Sequence, residues 1–120
     1  MKPASANGFT RLINASIYSW RGLIAAFKHE QAFRLEFYLL LVFIPLAFYL
    51  TEAALERALM VGSWLLVMVV ELINSAIEAV VDRFGGEQHE LSGRAKDIGS
   101  AAVTVAIVLS AVLWLGVVLS

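Results

Sequence analysis

Apolar positions set the outline of this chain. Between residues 7 and 30, Phe9, Leu12, Ile13, Trp20, Leu23, Ile24 and Phe27 recur at three- and four-residue steps, with Arg11, Arg21 and Lys28 among them. That period predicts an amphipathic helix suited to lying in a membrane interface. The six residues before it, MKPASA, read as a disordered tip. From Leu39 to Leu50 the chain is uncharged, between Glu36 and Glu52. This is short for a span, which needs about 20 residues, unless Ala32, Phe33 and Leu35 extend it. Pro45 lies inside and is tolerable where neighbours satisfy the carbonyl it frees. TEAALER (51–57) is a polar hinge, after which an apolar helical pattern continues to Asp82. FGGEQHELSGRAKD (84–97) reads as the one extended polar loop, with Gly85-Gly86 stopping the helix. Residues 98–119 carry no charge. The pattern predicts a single all-α membrane domain over residues 1–120. It has a surface helix at about 7–30 and transmembrane helices at about 33–50, 53–83 and 98–119.

Composition supports the membrane. The chain is 60% hydrophobic and its mean hydropathy is +0.79, too apolar for a soluble domain of this size. A cleavable signal peptide is not expected, because charge and apolar groups alternate over residues 1–30. The formal net charge of −1 gives no general attraction to nucleic acid, and no nucleic-acid partner is expected. Without cysteine, disulfides, iron–sulfur clusters and thiolate zinc sites are excluded. Lys2, Arg11, Arg21, Lys28 and Arg34 precede the first span, and Arg83, Arg94 and Lys96 lie between the second and third. Only Arg57 lies between the first and second. By the positive-inside rule the N-terminus and the second loop are cytoplasmic.

One stretch resists a purely structural reading. VELINSAIEAVVDR (70–83) continues the apolar run WLLVMV yet contains Glu71, Asn74, Glu78 and Asp82. At about 100° per residue these four fall at about 0°, 300°, 340° and 20°, one stripe under a quarter of the circumference. Charges inside a membrane are costly and mark function by default. At about 1.5 Å per residue, Glu71 lies about 10 Å deeper than Glu78. Hard divalent cations take oxygen ligands, magnesium commonly one or two carboxylates with phosphate oxygens, while a deeper carboxylate suits a general base. Together with basic groups at Arg11, Arg94 and Lys96, the set points to phosphoryl transfer. There is no GxxxxGK[ST] motif, which excludes a P-loop. His29 and His89 have no second histidine at ligand spacing, so no dedicated zinc site is expected. Read structurally, the stripe is instead polar glue between helices. The serines are helix contacts or caps on that reading, and Trp20, Trp64 and Trp114 interface anchors or packing residues.

VELINSAIEAVVDR together with HELSGRAKDIGSAAV (89–103), GFTRLINASIYSWRGL (8–23) and EQAFRLE (30–36) closely resembles the prokaryotic integral-membrane diacylglycerol kinases. The resemblance runs from about Gly8 to Trp114. It implies a homotrimer of three-span subunits in the bacterial inner membrane, multi-pass, with its active site cytoplasmic. The implied reaction transfers the γ-phosphoryl group of MgATP to the primary hydroxyl of diacylglycerol, giving phosphatidic acid. Carried over by residue, Glu71 is the catalytic base, and Glu30 and Glu78 hold Mg2+ and nucleotide. Arg11, Tyr18, Glu87, Gln88, His89, Lys96 and Asp97 contact ATP. Arg11, Ser19, Trp20, Glu71, Ser100 and Trp114 contact the lipid substrate, and Arg34, Asn74 and Asp82 are supporting polar residues. Leu35 stands where the best-known members carry glutamine, and Gln88 where they carry tyrosine.

Three alternatives stay open on sequence alone. A related branch of the family phosphorylates undecaprenol, though the SGRAKD segment looks more like the diacylglycerol branch. A small proton-coupled transporter would also bury a membrane glutamate, but that class usually has four spans. A non-enzymatic assembly subunit would use the stripe only as glue.

Overall fold

A computed structural model describes residues 7–84 and 89–120. The MKPASA tip and the Gly85-Gly86 stop lie outside the described residues. Four helices follow one another: α1 (Gly8–His29), α2 (Gln31–Leu50), α3 (Ala54–Asp82) and α4 (Glu90–Leu119). The described residues contain no strand. α2, α3 and α4 are each long and apolar enough to cross a membrane, so the all-α, three-span architecture is observed.

Local chemistry explains the helix ends. Asn7 caps α1, its side chain accepting from the Thr10 amide at 2.8 Å. At the other end Arg34 turns back from α2, and its Nη1 donates to the Phe27 and Lys28 carbonyls at 2.8 and 3.0 Å. Those are among the carbonyls that a helix end leaves without an internal partner. Arg34 therefore fastens the α1–α2 corner. Glu30, in extended backbone with φ −114° and ψ 105°, is the single residue between the two helices. α2 runs through Pro45 without interruption.

α4 begins at Glu90, so the segment expected as a loop as far as residue 97 is helical from that point. His89 starts it, its Nδ1 accepting from the Leu91 amide at 3.0 Å, and Arg94 reaches Glu90 one turn back at 3.3 Å. At about 1.5 Å per residue, the 29 and 30 residues of α3 and α4 are about 44 Å long, against about 30 Å of hydrocarbon. A helix this long tilts in the membrane or projects from it, and any projecting turns are free to be polar.

α3 packs on both neighbours. Asp82–Lys96, Asn74–Gly99, Ser63–Ser110 and Met60–Trp114 are contacts whose order reverses between α3 and α4, which makes the two antiparallel. On the α2 side the Trp64 indole donates to the Glu36 carbonyl at 2.9 Å, and Phe43 meets Trp64 edge-on at 4.9 Å. The buried apolar cluster comprises Ala26, Phe33, Trp64, Val67, Met68 and Ala106, contributions from all four helices. α1 is different: Ala26 is its only buried residue, while Phe9, Leu12 and Trp20 are about two-thirds exposed. The described chain measures 49 × 42 × 21 Å. Three adjacent helices at about 10 Å separation do not reach 42 Å across, so α1 extends away from the bundle.

Candidate active site

The stripe on α3 is graded in burial as well as in angle. Glu71 and Asn74 are buried at 6% and 7% exposure, Glu78 is half-buried and Asp82 exposed. Ser75, one turn beyond Glu71, donates its hydroxyl to Glu71 Oε2 at 3.2 Å. From α2 the Glu36 side chain faces Glu71. Glu36 is 7% exposed, and its Oε1 has no hydrogen-bond partner among the described residues. A buried pair of facing carboxyl groups is an arrangement for handling protons. Glu36 lies within EQAFRLE, but the pattern gave it only the role of a charge bracketing the first span.

Towards the exposed end, Lys96 Nζ pairs with Asp82 Oδ1 at 3.0 Å, and Lys96 also feels the Glu78 carboxylate. Glu78, Asp82 and Lys96 therefore form one charged cluster where α3 ends and α4 begins. Asp97 and Ser100 are exposed on the next turn of α4, and His89 is occupied as its cap. Glu87 and Gln88 lie outside the described residues.

A groove of about 720 Å³ separates α1 from α3. Ser19, Gly22 and His29 line it from α1, Glu30 from the corner, and Ser75 and Ala79 from α3. Through Ser75 this groove adjoins Glu71. A second cavity, about 410 Å³, lies where Trp20, Phe27, Phe33, Phe37, Leu40 and Met68 meet. Ser19 and Trp20 thus belong to neighbouring recesses, one with polar groups in its wall and one largely apolar.

The 54%-identical relatives named diacylglycerol kinase in Escherichia coli (strain K12) and Haemophilus influenzae each match over 110 residues, 92% of this chain and 90% and 93% of theirs. A diacylglycerol kinase of Pseudomonas aeruginosa is 50% identical over 112 residues, 93% of this chain and 91% of its own length. Residues 17–118 match the prokaryotic diacylglycerol kinase family. The chain belongs to that family.

Family membership makes the distribution of the expected site residues informative. Asn74, Asp82 and Lys96 meet in the α3–α4 seam with Glu78 close to Lys96, Glu71 lies opposite Glu36 of α2, and Ser19 and Glu30 face α3 across the groove. Arg34 lies behind that groove as the clasp of the α1–α2 corner. Arg11 is not brought to this group: it lies on the first turn of α1, 19 residues before Glu30, about 28 Å at helical rise. Tyr18 lies one turn from Arg21, whose guanidinium carbon is 6.0 Å from the ring centre. Trp114 is placed at the opposite end of the bundle. Its indole donates to the Met60 carbonyl at 3.0 Å and its ring tilts against Phe43 at 5.1 Å.

Gly99 carries a constraint that its sequence context did not signal. A β-carbon there would collide with Asn74 Oδ1. The close approach of α4 to α3 is what buries the Asn74 amide, and only the pairing of the two helices reveals it.

Proposed function

We propose that this protein is an ATP-dependent lipid kinase that transfers the γ-phosphoryl group of MgATP to the primary hydroxyl of diacylglycerol. The products are phosphatidic acid and ADP. The observation that carries the reading is the burial gradient from Glu71 to the exposed Asp82–Lys96 pair. A lipid hydroxyl resides at the membrane boundary and ATP resides in water, so one site must face both phases.

Glu71 acts as the base. Its carboxylate accepts the hydroxyl proton as the lipid oxygen bonds to the γ-phosphorus, and the bond from that phosphorus to the ADP oxygen breaks. Ser75 holds Glu71 in one rotamer through its hydroxyl. The groove between α1 and α3 gives the lipid headgroup access beside Ser19 and Glu30. The recess at Trp20, Phe33 and Met68 offers an apolar surface to acyl chains. Lys96 and Asp97, with Arg11, Tyr18 and the 87–89 segment, are assigned to ATP. About 28 Å along α1 from Glu30, Arg11 would serve a site on another subunit of a homotrimer. Charge bias supports a cytoplasmic N-terminus and α3–α4 connection, as in a protein of the bacterial inner membrane.

The donor set fits magnesium. Glu30 and Glu78 are both half-buried carboxylates, hard oxygen donors on the groove side of the corner and in the charged cluster. That suits an ion held by one or two carboxylates and completed by phosphate oxygens, as magnesium usually is. When bound, the ion neutralises charge developing on the transferring phosphoryl group.

The test is transfer of labelled γ-phosphate from MgATP in mixed micelles containing either diacylglycerol or undecaprenol. Labelled phosphatidic acid is the expected product. Label on undecaprenol alone would move the protein to the other branch of the family. Absence of label on either lipid, with folded protein, would sink the kinase reading.

A further inference from the structure

We infer that Gly99 is a positioning residue for phosphoryl transfer: by lacking a β-carbon it lets α4 hold the Asn74 amide in one orientation beside Glu71. The inference rests on the kinase reading above. Gly99 is buried between two exposed neighbours, Ile98 and Ser100, so α4 turns this one position into α3. A β-carbon built at Gly99 meets Asn74 Oδ1 first, then Asn74 Cγ at 3.2 Å and Cβ at 3.9 Å. Its three nearest neighbours are thus all atoms of one side chain. The space freed by glycine is therefore filled first by Asn74.

Gly62, Gly93 and Gly116, the other glycines of α3 and α4, have nothing within 4 Å of such a carbon. The requirement at Gly99 is thus specific to its partner and not a general need for small residues along the helices. Asn74 is 7% exposed, and its Oδ1 has no hydrogen-bond partner among the described residues. The oxygen rests against the glycine backbone, where a Cα–H group tolerates an acceptor and would repel an NH2 group. With the carbonyl turned into the seam, planarity of the amide turns the NH2 group out of it. Asn74 lies three residues from Glu71 and four from Glu78, on the same face. Its NH2 group is left as a neutral donor between the base and the nucleotide-side carboxylate. Such a donor, fixed before the reaction, stabilises charge that develops on a transferring phosphoryl group. A side chain at Gly99 would push the carbonyl out of the seam and rotate or displace that donor.

The experiment compares the parent protein with Gly99→Ala, Asn74→Ala and the double variant, in the mixed-micelle transfer assay and in thermal unfolding. Gly99→Ala is expected to lower kcat about tenfold or more while the KM for MgATP stays within roughly twofold, the signature of an interaction made in the transition state. In the Asn74→Ala background the same substitution is expected to change kcat by less than about twofold, since coupled residues do not act additively. A purely structural glycine would also be relieved by Asn74→Ala, but it would lower stability and raise the KM along with lowering kcat, so the split between kcat and KM is the deciding readout. Should Gly99→Ala fail to fold, the double variant is expected to fold, because the colliding atoms are gone. Overturning results are an active Gly99→Ala, losses that multiply in the double variant, or a double variant that also fails to fold. An inactive parent protein would sink the kinase reading and this inference with it. An active parent with an active Gly99→Ala would sink this inference alone.

Discussion

Ser75 donates to Glu71 Oε2 at 3.2 Å across one turn of α3. Both residues are buried, so the bond orients the carboxylate away from bulk water. Ser75 also lines the groove facing α1, which puts its hydroxyl between Glu71 and the groove proposed for the lipid.

Removing the base and removing its support should differ in degree. Glu71→Gln keeps the shape but cannot accept a proton. It is expected to reduce kcat by about a thousandfold, within the usual range for a positioned acid–base group. Ser75→Ala should cost about tenfold, because a hydrogen bond to a charged group is worth about 1.5–3 kcal/mol and water recovers part of it. Steady-state transfer at saturating lipid checks both. A Glu71→Gln protein with near-parent kcat would remove Glu71 from its role.

At the exposed end of the stripe the balance between stability and activity should reverse. Asp82 and Lys96 pair at 3.0 Å, but their side chains are 62% and 42% exposed. An exposed pair is screened by water and contributes little to stability, so Asp82→Asn should barely alter thermal unfolding. Lys96→Met is expected to raise the KM for MgATP about tenfold, since a phosphate contact loses its charge. The two measurements separate a nucleotide contact from a helix tie. Equal loss of stability and activity would mean that the pair is only structural.

Magnesium dependence tests the two half-buried carboxylates. A chelator should abolish transfer and added magnesium restore it. Glu78→Gln should shift the magnesium titration to higher concentration about tenfold or more, because one of few carboxylate ligands is gone. Glu30→Gln should act in the same direction. A titration curve that does not move in either variant would leave the ion to the phosphates alone.

The sequence made the spans and the stripe readable because each rests on a period that the chain itself carries. Apolar runs follow the thickness of the membrane, and four polar residues at a helical spacing share a face whatever packs against them. The start of α4 was hidden for the opposite reason. Residues 90–97 are mostly polar, so their helix has no apolar signature and depends on the His89 cap and the Glu90–Arg94 pair. Glu36 looked like a charge at the edge of a span; its burial comes from the packing of α2 on α3. Gly99 is legible only against Asn74, 25 positions earlier. Trp114 shows the same limit from the other side, since its bond to the Met60 carbonyl depends on where α3 begins.

The Ser63–Ser110 contact supplies a control at the other end of the bundle. The two hydroxyls meet at 2.9 Å in the buried α3–α4 seam, and Ser63 also donates to the Met60 carbonyl at 2.9 Å. Ser110 is 3% exposed, so losing its partner leaves a buried hydroxyl unsatisfied. Ser63→Ala should therefore destabilise the fold by about 1 kcal/mol, near the average for hydrogen bonds between membrane helices. Replacing both serines by alanine removes the orphan and should cost little more than either single change, because the penalty belongs to the unpaired group. Eight residues separate Ser63 from Glu71, about 12 Å along α3. Transfer by folded Ser63→Ala protein should therefore match the parent. A drop in kcat without a drop in stability would show that this seam transmits strain to the base, and that the two ends of α3 are not independent.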